Sequence, residues 1–182
     1  MPKEKTRAQK RRETLKEEFW PDDKTWFADN ETGWFAAPRY LPLILSLLAS
    51  KRLSRNQDPS RVYLELFSRH FNTGLVEMSD ERDHAFAAGY EGPRAVRTWQ
   101  ERMRILEEHE FIKTKSAGNQ RYKYAILIHP KAAVRRLHDA KLIDEEWWTT
   151  YRARLAELDE SDAEFVNANG EEAKPRKRKQ VA

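Results

Sequence analysis

Apolar residues recur at helical spacing along much of this chain and switch to strand spacing at one place. In "YLPLILSLLAS", residues 40–50, Leu43, Ile44, Leu47 and Leu48 fall on one side of a helix opened by Pro38 and Pro42. "RLSRNQDPS" breaks that pattern, and Asp58 or Ser60 can cap a second helix near Pro59. That helix, about 59–71, turns Val62, Tyr63, Leu66, Phe67 and His70 inward. Asn72-Thr73-Gly74 ends it, and "LVEM" reads as a very short strand. Ser79 or Asp80 then caps a helix through "ERDHAFAA", with Gly89 suited to its C-terminal end.

Pro93 sits at the first position of the next helix, 93–108. Val96, Trp99, Met103 and Leu106 form its buried face, spread over about 80° of arc. Arg94, Arg97, Thr98 and Glu101 lie opposite, with Arg104 at the edge. The period then changes to two. In "FIKTK", Ile112 and Thr114 face one way, and Lys113 and Lys115 the other. In "RYKYAILI", Tyr122, Tyr124, Ile126 and Ile128 alternate with Arg121, Lys123, Ala125 and Leu127. Gly118-Asn119 between the runs predicts a β-hairpin. Pro130 starts a helix over about 130–140 with Val134 and Leu137 inward. Asp144 is placed to cap a last helix, 145–159, striped by Trp147, Tyr151, Leu155 and Leu158. Trp147 and Trp148 are adjacent, so one of them needs a different neighbour from the other. The stripe can pack within its own chain or join two chains through Trp147, Trp148, Tyr151 and Leu155.

The ends read differently. Residues 1–20 mix seven Lys and Arg with four Glu and bury little, as a mobile or partly helical basic arm does. Trp20, Trp26, Phe27, Trp34 and Phe35 follow among turn formers, and read as an irregular lid over a core; a stacking platform for bases is the alternative. Beyond residue 160 the chain is polar and expected to be disordered, with a basic cluster "KPRKRK". The organisation expected is therefore a basic arm and aromatic lead-in at 1–32, a domain at 33–130, a helical extension at 131–159 and a tail at 160–182.

Composition sharpens this picture. Charged residues are 35% of the chain, against the usual ~25%, so much of the sequence is solvated. The net charge of +4 favours an acidic partner without naming it. More telling is the stretch from Phe111 to Lys123, which carries four basic residues and no acidic one. The absence of cysteine excludes disulfides, thiol nucleophiles and cysteine-bound zinc. The five histidines form no close metal-binding pair, and no H-E-x-x-H, glycine-rich phosphate loop or G-x-S-x-G occurs. Asp80, Glu81 and Asp83 suit a helix N-terminus. The expectation is no enzyme, no metal and no cofactor. The N-terminus lacks the apolar core of a secretory signal, and the longest apolar run falls short of the ~20 residues a bilayer requires. A cytoplasmic place, on a nucleoid or plasmid if the source is prokaryotic, is expected.

"SDERDHAFAAGYEGPRAVRTWQERMRILEEHEFIKTKSAGNQRYKYAILI", Ser79 to Ile128, resembles a winged helix-turn-helix domain, and the resemblance covers about 38–130. "APRYLPLILSLLASKRLS" has a looser likeness to winged-helix domains of plasmid replication initiators. The resemblance implies a mainly α fold with a small antiparallel β-hairpin and extra C-terminal helices. It also implies that the 93–108 helix enters the major groove of double-stranded DNA with Arg94, Arg97, Thr98, Glu101 and Arg104 leading. The hairpin would touch the flanking backbone through Lys113, Lys115, Asn119, Arg121 and Lys123. The shared core expected is Val96, Trp99, Leu106, Ile112 and Tyr124, which would bring both basic surfaces to one side. Transcriptional regulation is the use expected first, and plasmid or phage replication or partition next. A protein-binding module with an idle basic surface is the rival. A homodimer is the further partner considered.

Overall fold

The computed structural model describes residues 7–19, 35–70 and 74–158; the aromatic lead-in before Phe35 and the expected tail from 160 lie outside them. The chain divides into two units, residues 1–34 and 35–182. In the first, the basic arm forms a helix, α1 (Arg7–Phe19), in which the Thr14 hydroxyl donates to the Lys10 carbonyl at 3.1 Å.

The second unit is mostly helical with one small antiparallel sheet. Its order is α2 (Leu41–Ala49), α3 (Lys51–Ser54), α4 (Ser60–Arg69), β1 (Leu75–Glu77), α5 (Glu81–Ala87), α6 (Ala95–Glu108), β2 (Ile112–Ala117), β3 (Gln120–Leu127), α7 (Pro130–Asp139) and α8 (Glu145–Glu157). No helix among the described residues is long and apolar enough to cross a membrane.

Local chemistry explains most boundaries. Pro42 sits in the first turn of α2, and Leu41, Ile44, Leu47 and Leu48 form its buried stripe. The break expected after it contains one further turn, α3, closed by Arg55 in the left-handed region at φ 49°. Asp58 accepts from the Ser60 N–H at 2.8 Å and so starts α4. Asp80 rather than Ser79 caps α5, accepting from the Arg82 N–H at 2.8 Å. Gly89 ends that helix at φ 82°, a conformation that costs an L side chain energy. Pro93 lies in the turn before α6 instead of at its first position, and Arg94 is the N-cap residue. Asp144 heads α8 but makes no cap; its carboxylate pairs with Arg52 instead. The cap of α7 is His129, whose Nδ1 accepts from the Lys131 N–H at 3.3 Å.

The expected hairpin is part of a three-stranded sheet in the order β1-β3-β2. Leu75, Val76 and Glu77 pair with Ile126, Ala125 and Tyr124, and Lys113, Thr114 and Lys115 pair with the same three residues from the other side. The register then jumps from Lys115↔Tyr124 to Ala117↔Gln120, so Arg121, Tyr122 and Lys123 lie opposite Ser116 alone. This bulge resets the alternation of β3. Tyr122 and Ala125 are both buried, while Ile126 is 43% exposed and Tyr124 is half-buried beside Lys115 and Glu77. The unbroken alternation expected for this strand is therefore wrong beyond Lys123, and Tyr122 takes the core position assigned to Tyr124.

The core runs through α2, α4, α6, the inner sheet face and α8, with Ile44, Tyr63, Trp99, Leu106, Phe111 and Tyr151 fully buried. On α6, Trp99, Met103 and Leu106 are inward as expected; Val96 is half-buried, and Ile105 is buried as well. Trp148, Tyr151 and Leu155 are buried within the chain. Both tryptophans flank Tyr151, Trp147 stacked on it at 5.1 Å and Trp148 tilted against it at 5.7 Å. The separate neighbour of Trp148 is His138 of α7, stacked at 4.0 Å.

The bulge can be checked by placing a charge on either side of it. Ala125→Lys should destabilise the protein by about 3 kcal/mol or more, because it buries an unpaired charge. Ile126→Lys should stay within about 0.5 kcal/mol of the parent. Urea unfolding measures both, and the reverse ranking would restore the unbroken alternation.

Candidate nucleic-acid interface

Trp99 fixes the helix that carries the candidate site. Its ring lies 6.0 Å from the His84 ring of α5 and 5.6 Å, edge-on, from the Tyr122 ring of β3. His84 is itself held by buried Glu65 of α4, with Nδ1 at 3.0 Å from Oε1, and Glu65 also pairs with Arg69. Around Trp99, the Gln100 amide donates to Glu81 at 2.6 Å and the Tyr122 hydroxyl donates to the Gln100 carbonyl at 3.4 Å. These contacts join α5, α6 and β3 and leave the opposite side of α6 in solvent.

That side carries Arg94, Arg97 and Arg104, all exposed and separated by three and seven residues. Arg97 Nε lies 3.3 Å from Glu101 Oε1, one turn on. Thr98 and Glu101 are half-buried, so they lie lower on this face than the arginines. Arg94 and Arg104 have no ion-pair partner among the described residues.

The hairpin divides its basic residues among three settings. Arg121 meets α6: its guanidinium is 4.0 Å from Glu107, which also accepts a hydrogen bond from Thr114 of β2. Burial raises the Tyr122 hydroxyl above its ordinary pKa, while the adjacent Arg121 charge pulls the other way. Lys123 is tied down, its Nζ donating to the Met78 carbonyl at 3.1 Å and lying 3.2 Å from Glu77. Lys113 and Lys115 are exposed in register with Ile126 and Tyr124, on the sheet face opposite to Thr114 and Ala125. Since Thr114 reaches α6, these two lysines face away from it. Asn119 is exposed at the turn, where Gly118 takes φ 57°.

The structure thus leaves Arg94, Arg97 and Arg104 on the exposed side of α6 and brings Arg121 of the hairpin beside the C-terminal end of that helix. It does not bring Lys113 and Lys115 there, and it uses Lys123 to brace β1. Of the wing residues expected beside the helix, Arg121 reaches α6 at Glu107, while Lys113 and Lys115 lie on the sheet face turned away from it. The acidic end of α6 is matched by cations, Glu108 with Arg55 at 3.3 Å and nearby Glu110 with Arg136 at 2.5 Å. Two joining residues escaped the sequence reading. Glu107 sits among other glutamates with nothing to distinguish it. Gln120, whose amide donates to the Ser79 carbonyl at 3.1 Å, anchors the hairpin tip and carries no motif. Among the described residues no group of three or more acidic, histidine or cysteine side chains could hold a metal ion.

No protein family, curated protein or solved structure matches this chain.

The different duties of the hairpin lysines predict different costs. Lys123→Ala should lose about 1 kcal/mol of stability, the net worth of an ordinary hydrogen bond. Lys113→Ala should stay within about 0.5 kcal/mol of the parent. Equal melting curves for the two variants would remove the bracing role of Lys123.

Proposed function

We propose that the chain binds double-stranded DNA as a winged helix-turn-helix protein, with α6 in the major groove and the hairpin beside the flanking backbone. The observation that carries this reading is the row of exposed Arg94, Arg97 and Arg104 on one side of α6, together with Arg121 of the hairpin beside Glu107 of the same helix. The order α4–β1–α5–α6–β2–β3 and the sheet order β1-β3-β2 are compatible with it. Arg94 and Arg97 sit at the leading end of α6, where a guanidinium can bond guanine O6 and N7 together. Arg104 lies further along α6 and Arg121 stands beside Glu107 near its end, positions suited to phosphate contacts in this reading. Control of transcription is the proposed use; replication or partition of a plasmid or phage is the alternative within the same chemistry.

A protein-docking module is the second reading, and one observation favours it. The outer sheet face exposes Ile126 and part of Tyr124, an aliphatic and an aromatic group of the kind found at interface centres, with Lys113 and Lys115 beside them as rim charges.

A salt series on a duplex separates the two. Log affinity should fall linearly with log salt, with a slope of roughly 0.9 per phosphate contact. Arg121→Ala should flatten the slope by about one contact. Lys113→Ala with Lys115→Ala should leave it unchanged. Arg97→Ala should reduce discrimination between a footprinted site and random duplex by about 1–3 kcal/mol. Absence of duplex binding at low salt would sink the DNA reading in favour of a protein partner. A slope that responds to the lysines and not to Arg121 would turn the interface to the other sheet face.

A further inference from the structure

Phe86 of α5 is 68% exposed, more than any other large apolar side chain among the described residues. A single exposed apolar residue is ordinary on a protein surface; Phe86 differs because it borders an apolar groove. It shares that groove, between α5 and the start of α6, with Tyr90, Pro93 and Val96. Arg82 and Glu91 are the charged residues of the lining among the described residues, and their charges cancel. Such a groove draws no phosphate by itself. It suits an uncharged guest that presents an apolar group.

The groove lies beside the exposed arginines of α6. Val96, Gln100 and Arg104 are four residues apart and form one row along that helix. α5 lies along the row, with Glu81 bonded to Gln100 at 2.6 Å and Phe86 sharing the groove with Val96. Arg97 follows Val96 and is three residues from Gln100, so it borders the same row. A duplex whose base edges meet Arg94 and Arg97 would therefore bring neighbouring bases to Phe86. Of the four bases, only thymine shows an apolar group, its 5-methyl, in the major groove.

We propose that Phe86 reads a thymine, packing on its 5-methyl beside the bases that Arg94 and Arg97 meet. The proposal rests on the DNA reading and adds a base preference to it.

The probe is a duplex enriched from a random library by the full chain. It is remade with deoxyuracil, which lacks the methyl, at each thymine in turn. At one position the parent protein should lose about fourfold in affinity, the worth of one methyl group returned to water. Phe86→Ala should melt like the parent, since the ring is mostly solvated, and should bind the thymine and deoxyuracil duplexes alike. With 5-iododeoxyuridine at that position, ultraviolet light should cross-link Phe86 of the parent, a readout that requires no variant. Enrichment of no thymine-bearing sequence, or a bound duplex with no position sensitive to deoxyuracil, overturns the proposal and leaves the DNA reading standing. So does a preference that survives Phe86→Ala, or a cross-link that maps to another residue. If no duplex is retained at low salt, both readings fall, and the enrichment step reveals this before any thymine is changed.

Discussion

The structure depends on the burial of Trp99. A tryptophan removes roughly 150–250 Å² from water, which at about 25 cal/mol per Å² amounts to about 4–6 kcal/mol. No other single side chain on α6 brings as much area to the core. Its ring reaches His84 on one side and Tyr122 on the other, so burying it positions α5, α6 and β3 together. The exposed arginines follow from that placement. Once Trp99, Met103 and Leu106 point inward, the geometry of a helix leaves Arg97 and Arg104 on the opposite side.

Trp99 in turn relies on a polar contact beneath it. Glu65 is buried on α4 and would be costly there without partners. His84 and Arg69 supply them, and the His84 contact links α4 to α5 across the ring stack. The site is therefore held by layers, with a hydrogen-bonded carboxylate under a histidine, the histidine beside a tryptophan and the tryptophan against a tyrosine of the hairpin. Each layer belongs to a different element, and so the helix and the hairpin do not move as independent arms.

Those elements differ in how plainly the sequence announces them. Helices were legible because their signals are local: a stripe every three or four residues, Asp80 at a cap, Gly89 at an end. The strand β3 was legible as a strand and misread as a surface. Alternation predicts facing only while the register is unbroken, and a bulge depends on the partner strand. So Ile126, the expected core residue, is outside, and Ala125, the expected outer one, is inside. The pairing of β1 with β3 was hidden for the same reason, since it joins residues some fifty positions apart. Asp144 shows a third limit. It has the right residue type at a helix start, but Arg52, ninety-two positions earlier, claims its carboxylate. The arginines of α6 were found because helix facing is local. The split of the hairpin lysines was not, because it is set by register and by what Met78 and Glu77 offer Lys123.

That split decides which cations can change partners. Arg97 and Glu101 form an exposed pair, and exposed pairs are worth about 0–1 kcal/mol. A phosphate or a base edge replacing Glu101 therefore displaces little. The same holds for Arg121, which stands 4.0 Å from Glu107 and is mostly in solvent. Glu107 keeps its Thr114 hydrogen bond if the arginine leaves, so it is not stranded. Lys123 is in the reverse position. Its Nζ satisfies a backbone carbonyl as well as Glu77 in a half-buried setting, and withdrawing it would leave that carbonyl short of a donor. Positive charge alone does not separate these three residues. The strength of the contact each must surrender does, and it ranks Arg97 and Arg121 as recruitable and Lys123 as structural.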